Sequence, residues 1–263
     1  MKRLLAVLAL LMAAQPALAQ ADAAAQKQIL ELMNRDRVAR RLMPLEADAK
    51  LTEAAQQHAA RMAQSRAISH QFFEEPSAAA RIVATGLHVD LVGENVASSQ
   101  NAAGAHAALM KSLAHRANIL NPRFTHVGIG AFRDDHGDLY VTEDFSRKVA
   151  EYSVPQAESR LLDFIANLRR AAHARPLPLV VHPELEELAC AMAHDDLIST
   201  VKVRALPGVS TTVVFTASDL TASPRPLSRL KDAPGTSLGI GVCYSASAPR
   251  VIPVYWAVVV TYF

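Results

Sequence analysis

Five short blocks occur twice in this chain of 263 residues, in the same order. Asn34-Arg35-Asp36-Arg37 is answered by Asn167-Leu168-Arg169-Arg170, and the break at Leu42–Leu45 by Pro176-Leu177-Pro178-Leu179. Leu51-Thr52-Glu53-Ala54-Ala55 is answered by Leu185-Glu186-Glu187-Leu188-Ala189. Gly128-Ile129-Gly130 returns as Gly239-Ile240-Gly241, and Leu139–Phe145 as Ala257–Phe263, both ending in Phe. One shared block is chance; five in order point to an internal duplication. Two repeats are too few for a solenoid, so the expectation is two small domains in tandem, the second shortened.

The periodicity within each unit is mixed, which predicts an α+β class. Gln26 to Ala39 places Ile29, Leu30, Met33 and Val38 near helical spacing, and Pro44 stops that run. Asp48 is a candidate N-cap for a second helix whose face is Leu51, Ala55, Ala59 and Met62. Asn101 to Ala117 reads as a helix, and Val127 to Ala131 and Leu139 to Phe145 as strands, with a turn at Gly137 between them. Ser159 to Ala172 repeats the first helix. Between Thr211 and Gly239 the second unit is shorter, and Pro224, Pro226 and Pro234 argue against a helix there.

Met1-Lys2-Arg3, an apolar run from Leu4 to Ala14 and Ala17-Leu18-Ala19 make 1–19 a secretory signal, cut after Ala19. The run is shorter than the roughly 20 residues a bilayer needs, and Val251 to Phe263 reads as a buried strand, so no transmembrane segment is expected in the mature protein. The expected location is periplasmic or extracellular. There, Cys190 and Cys243 are candidates for one disulfide; two buried thiols are the alternative. The formal charge of +2 gives no footprint for nucleic acid. Two cysteines cannot form a thiolate metal cluster.

Ser69-His70, Gly93-Glu94-Asn95 and His115-Arg116-Ala117-Asn118-Ile119-Leu120 carry polar residues in tight context. With the Leu51–Met62 helix, the Gly128-Ile129-Gly130 strand and the closing Glu143-Asp144-Phe145, they resemble the CAP superfamily in its bacterial secreted form. That group comprises cysteine-rich secretory proteins, antigen 5 and pathogenesis-related proteins, also known by their SCP domain. The resemblance implies an α-β-α sandwich. The domain plan is then a signal at 1–19, a CAP domain at 23–147, a linker at 148–157 and a degenerate CAP-like copy at 158–263 that lacks the site. It also implies a cleft with two His and up to two Glu, proposed in the family to hold a divalent metal. His70, His115 and Glu94 match three of those positions and are the candidate ligands for a metal such as zinc. The second carboxylate would fall about ten residues after His70, where this chain has Ala79-Ala80-Arg81; Glu74 and Glu75 are the substitutes within reach. Asn95, Arg116, Asn118 and Glu143 are the expected cleft support, Glu143 standing where bacterial members commonly carry Gln.

Independently of the family, two imidazoles and a carboxylate can ligate zinc and leave a position for water, or act as a general-base pair without metal. No G-x-S-x-G surrounds any Ser. The other eight histidines are expected to be structural. Two functions follow. The preferred one is binding of a lipid, a cell-envelope component or a protein partner through the cleft. The alternative is a hydrolase, metal-assisted or dependent on His and Glu, acting on an envelope peptide or ester. The catalytic candidates are then His70, Glu94 and His115.

Overall fold

The structure, a computed structural model, describes residues 20–246 and 251–263. The expected signal at 1–19 lies outside the described residues. The chain runs β1 (Gln20–Ala21), α1 (Ala23–Val38), β2 (Glu46–Ala47), α2 (Ala49–Ser65), α3 (Ala78–Ala84), β3 (Val89–Ser99), α4 (Ala102–Lys111), α5 (Leu113–Ile119), β4 (His126–Arg133) and β5 (Leu139–Lys148). It continues as α6 (Val154–Ala171), α7 (Pro183–Asp195), α8 (Val201–Arg204), β6 (Val209–Ala217), a 3-10 turn (Arg225–Leu230), β7 (Ser237–Ser245) and β8 (Val254–Tyr262).

The helices begin where their caps dictate. The Asp48 carboxylate accepts from the amides of Lys50 and Leu51, at 2.9 and 3.1 Å, and starts α2. Asn101 accepts from Gly104 and starts α4. The helix expected from Asn101 to Ala117 is two helices, because Ser112 is extended (ψ 127°) and α5 starts again from it. The linker is also shorter than 148–157. Ser153 and Gln156 form a reciprocal capping box, and Pro155 falls in the first turn of α6, where its missing N–H costs nothing.

The first sheet has the order β1-β4-β5-β3, with β2 added in parallel beside β4. On one face, Ile29 and Met33 of α1, Leu109 of α4 and Ile119 of α5 pack on Ile129, Val141 and Phe145. On the other, Met62 of α2 packs on Val96 and Tyr140, and Leu51 meets Ile82 of α3. This is the α-β-α arrangement expected. A Cβ on Gly128 or Gly130 would lie 2.1 Å from the backbone of Leu51 or Ala55, so the Gly-x-Gly spacing is what lets α2 lie directly on β4.

The second sheet has the order β6-β8-β7, all antiparallel. Leu161 and Ile165 of α6 cover one face, and Leu185 and Ala189 of α7 cover the other. The central strand β8 is buried and, Thr261 apart, built of aliphatic and aromatic residues, as suits a strand covered on both faces. The two units touch. Tyr244 stacks on His88 with ring centroids 5.0 Å apart, and Ser218 donates to Asp90.

Candidate functional site

The site is built around β3, the outer strand of the first sheet. After α2, the chain turns at Arg66 in the left-handed region (φ 48°) and enters a loop that His58 organises. His58 is fully buried. Its Nδ1 lies 2.8 Å from a Glu75 oxygen and its Nε2 lies 2.7 Å from the Ser69 carbonyl. Glu75 also accepts from the Phe72 amide. Burial pushes the Glu75 carboxyl up, but the Phe72 amide, His58 and Arg81 outweigh it and hold the group below its ordinary value. His58 is thus structural, as expected, and Glu75 serves it rather than the cleft.

That loop presents His70. Its Nδ1 lies 2.8 Å from Glu94 on β3. The His70 side chain is 59% exposed while that of Glu94 is 4% exposed, so a buried carboxylate aims a solvent-facing imidazole. The other Glu94 oxygen accepts from Arg81 on α3, whose guanidinium also donates to the Pro76 carbonyl. Nδ1 of His70 donates to the carboxylate, which leaves Nε2 as the basic nitrogen. His115, on α5, comes over the same strand. Its ring centroid is 6.3 Å from that of His70, with planes 34° apart. Burial, and then the neighbouring His70, lower the His115 pKa, which favours the neutral form of this ring.

Behind the rings runs a chain of amides. Asn118 donates to Asn95 at 2.9 Å and to the Glu94 carbonyl. Asn95 donates to Glu143 at 2.9 Å and to the His115 carbonyl at 3.1 Å, which ties α5 to β3. A Cβ on Gly93 would meet the Phe124 ring at 2.8 Å and the Asn118 amide oxygen at 3.3 Å. Glycine is therefore what lets Asn118 reach the strand. Glu143 is fully buried, and burial raises its pKa to about 7, the Asn95 hydrogen bond partly opposing. Asp144 pairs in register with Glu94. It is buried with neither oxygen hydrogen-bonded among the described residues. Burial, and then the charge of Glu94, hold it well above the ordinary carboxyl range against the pull of Arg81.

The fold thus brings His70, Glu94 and His115 together, with Asn95, Asn118 and Glu143 behind them. Arg116 instead donates to the Met110 carbonyl, at the joint between α4 and α5. Cys190 of α7 and Cys243 of β7 form a disulfide in the second unit. Ser69 is not aimed at either imidazole; its hydroxyl closes on the backbone of Gln71. Among the described residues, no group of three His, Cys, Asp or Glu is arranged to hold a metal ion. The geometry says why. Both Glu94 oxygens are engaged, one by His70 and one by Arg81, and Arg81 brings a fixed positive charge where a second carboxylate was sought. The donor set does not fit a resident divalent metal.

Sequence reasoning missed the roles of Arg81 and Asp144. Arg81 was visible as a cation at an expected acidic position, but only the fold shows it seated on Glu94. Asp144 lay inside a motif and carried no signal of its own.

Residues 30–145 match the family model described as the cysteine-rich secretory protein family, CAP. The uncharacterized protein YkwD of Bacillus subtilis is 34% identical over 106 residues, which is 40% of this chain and 41% of the relative. The chain thus spans less than half the length of that relative. A crystal structure of an extracellular protein containing an SCP domain, from Bacillus anthracis, is 27% identical, with 48% of this chain and 41% of that one covered and a TM-score of 0.44. An outer surface protein of Borrelia burgdorferi is 19% identical, with 49% and 98% covered and a TM-score of 0.46.

Proposed function

In residues 30–145 this chain belongs to the CAP superfamily in its bacterial form, and from that premise we propose that the domain is a binding module. Its His70–His115 cleft takes up a lipid, a cell-envelope component or a protein partner outside the cytoplasm, in a periplasm or beyond the cell. One observation carries this reading: Arg81 occupies the Glu94 carboxylate that metal chemistry would need. The Ser69 hydroxyl is closed on its own loop and is not available to the cleft as a nucleophile. What the cleft does offer is an exposed, oriented imidazole beside one whose neutral form is favoured, which suits hydrogen bonding to hydroxyl, carbonyl or phosphoryl groups. The Cys190–Cys243 disulfide fits an oxidising compartment.

We also propose that the second unit is a CAP-like copy without the site, acting as packing partner to the first. The shared strand order of the β4-β5-β3 and β7-β8-β6 sets favours this.

The test is a screen of purified protein against peptide and ester substrates, with and without zinc, beside a His70→Ala, His115→Ala double variant. The binding reading expects no turnover difference between the two proteins and no micromolar zinc affinity in calorimetry. Turnover in the wild type that vanishes in the double variant would establish the hydrolase instead.

A further inference from the structure

The two units share a local device whose one difference leaves a cavity. Arg37 is buried at the end of α1, and its Nε donates to the Met43 carbonyl six residues on. Arg169 is buried at the end of α6, and its Nε donates to the Arg175 carbonyl, also six residues on. The segments that follow run parallel to the next sheet in the same way, pairing Ala47 with Val127 and Leu179 with Leu238. By this geometry Leu45 matches Leu177, and Asn34 matches Ala166 rather than Asn167. Asn167 lies at the surface, accepting from Arg170.

In the first unit, the Asn34 carboxamide closes a two-point clamp on Leu45. It donates to the Leu45 carbonyl at 2.9 Å and accepts from the Leu45 amide at 2.8 Å. In the second unit the clamp is missing. Among the described residues, neither the amide nor the carbonyl of Leu177 has a hydrogen-bond partner. In place of the Asn side chain is a cavity of about 380 Å³. Its walls include Leu162, Ile165, Ala166 and Leu177, and Arg170 and His173 supply its polar part.

We propose that this cavity binds a small molecule headed by a primary carboxamide, or a lactam, on a short apolar chain. The head restores what Asn34 does in the first unit: its oxygen accepts from the Leu177 N–H, and its syn N–H donates to the Leu177 carbonyl. The chain lies along Leu162 and Ile165, which removes apolar surface from water. A trans secondary amide presents its N–H and C=O on opposite sides, so it can satisfy only one of the two groups, and an alcohol has no amide geometry at all. The site lies in the unit that lacks the His cleft and goes beyond the binding role proposed for that cleft.

The test uses the full chain, 15N-labelled, titrated with hexanamide, N-methylhexanamide and hexan-1-ol. Hexanamide is expected to move the Leu177 amide resonance and slow its hydrogen exchange. The other two should bind about tenfold more weakly, the size of one lost hydrogen bond. Ala166→Asn rebuilds the clamp from within and should abolish hexanamide binding. Equal affinity for the three probes, or binding that leaves Leu177 unmoved, would overturn the proposal. So would undiminished binding in a folded Ala166→Asn protein. If that variant fails to fold, the probe series on the wild type still decides.

Discussion

Strand β5 carries Thr142, Glu143 and Asp144 at its buried centre; strand β8 carries Val258, Val259 and Val260 in the corresponding register. The glycines set the match, since Gly128 pairs with Asp144 and Gly239 with Val260; Phe145 therefore falls on Thr261, and the expected match of the two closing phenylalanines, Phe145 and Phe263, is two residues out. On the neighbouring strand, Glu94 and Asn95 lie opposite Asp144 and Glu143, whereas Thr212 and Val213 lie opposite Val260 and Val259. Both sets build three antiparallel strands in the same order. Strand pairing therefore does not require the carboxyls of the first unit. Replacing buried ionisable groups by apolar ones is often neutral or stabilising, so the second unit has the cheaper core. The first unit keeps carboxyls that burial destabilises, and they stand directly behind the two histidines.

The largest expected effect tests whether the two frames are equivalent at all. Arg37 donates to the carbonyls of Met43, Ile119, Asn121 and Phe124, and Arg169 to those of Arg175, Leu230 and Ala233. Removing either leaves several buried carbonyls unpaired. Arg37→Ala and Arg169→Ala should each cost about 3–5 kcal/mol in denaturant unfolding. Lysine should not rescue either, because one ammonium cannot reach the spread of carbonyls that the planar guanidinium spans. A silent Arg169→Ala would break the equivalence.

The next effect belongs to one unit alone. The disulfide ties α7 to β7 across a sequence separation of 53 residues, and the first unit has no cysteine. The Cys190→Ser, Cys243→Ser protein should lose about 3 kcal/mol, and calorimetry should place the loss in the second unit. An equal shift in the first unit's transition would mean that the Tyr244–His88 contact couples the two more tightly than their separate cores imply.

These frames were partly legible in the sequence. The periodicity of Ile29 and Met33, the Asp48 cap and the Gly-x-Gly strand all follow local rules that packing did not override. Strand β3 was not legible. Its run Val89–Ser99 carries Gly93, Glu94, Asn95 and two serines, because it serves a cleft, and so shows no alternation. The seven-residue α3 was too short to show a period. The repeated block at Asn167 was aligned one residue out, since matching Asn-x-x-Arg overlooked the helix face. Leu161, Ile165 and Arg169 repeat the four-residue spacing of Ile29, Met33 and Arg37. The site residues His70, Glu94 and His115 came from motif resemblance. Their meeting, and the seat of Arg81, come from the fold.

A smaller effect sharpens the contrast between carboxyl and valine cores. In the folded chain Glu143 titrates at about 7, against an ordinary value of 4.5. The folded state therefore holds a proton that the unfolded chain releases between those values. The stability this gives is complete below about pH 4.5 and is lost as pH rises to 7. Glu143→Gln keeps the acceptor for Asn95 and removes the titration. It should match the wild type near pH 4 and exceed it by roughly 3 kcal/mol at pH 8. Urea midpoints at the two pH values measure this, and a pH-independent difference would show that Glu143 is not the titrating group.

The smallest expected effect separates site from scaffold. His70 is held by one carboxylate and is 59% exposed, so its loss opens little buried surface. Glu94 would keep Arg81 as its partner, and no buried charge would be left alone. His70→Ala should therefore cost under about 1 kcal/mol, within the range of exposed ion pairs. Arg81→Ala should cost more, because it leaves one oxygen of the buried Glu94 carboxylate unpaired beside Asp144. If the order is reversed, His70 is an anchor of its loop rather than a group held out for a ligand. If the order holds, the first unit tolerates the loss of this exposed histidine, and the frame does not depend on it. The stability carried by Arg81 and Glu94 then serves to aim an imidazole, not to close the fold.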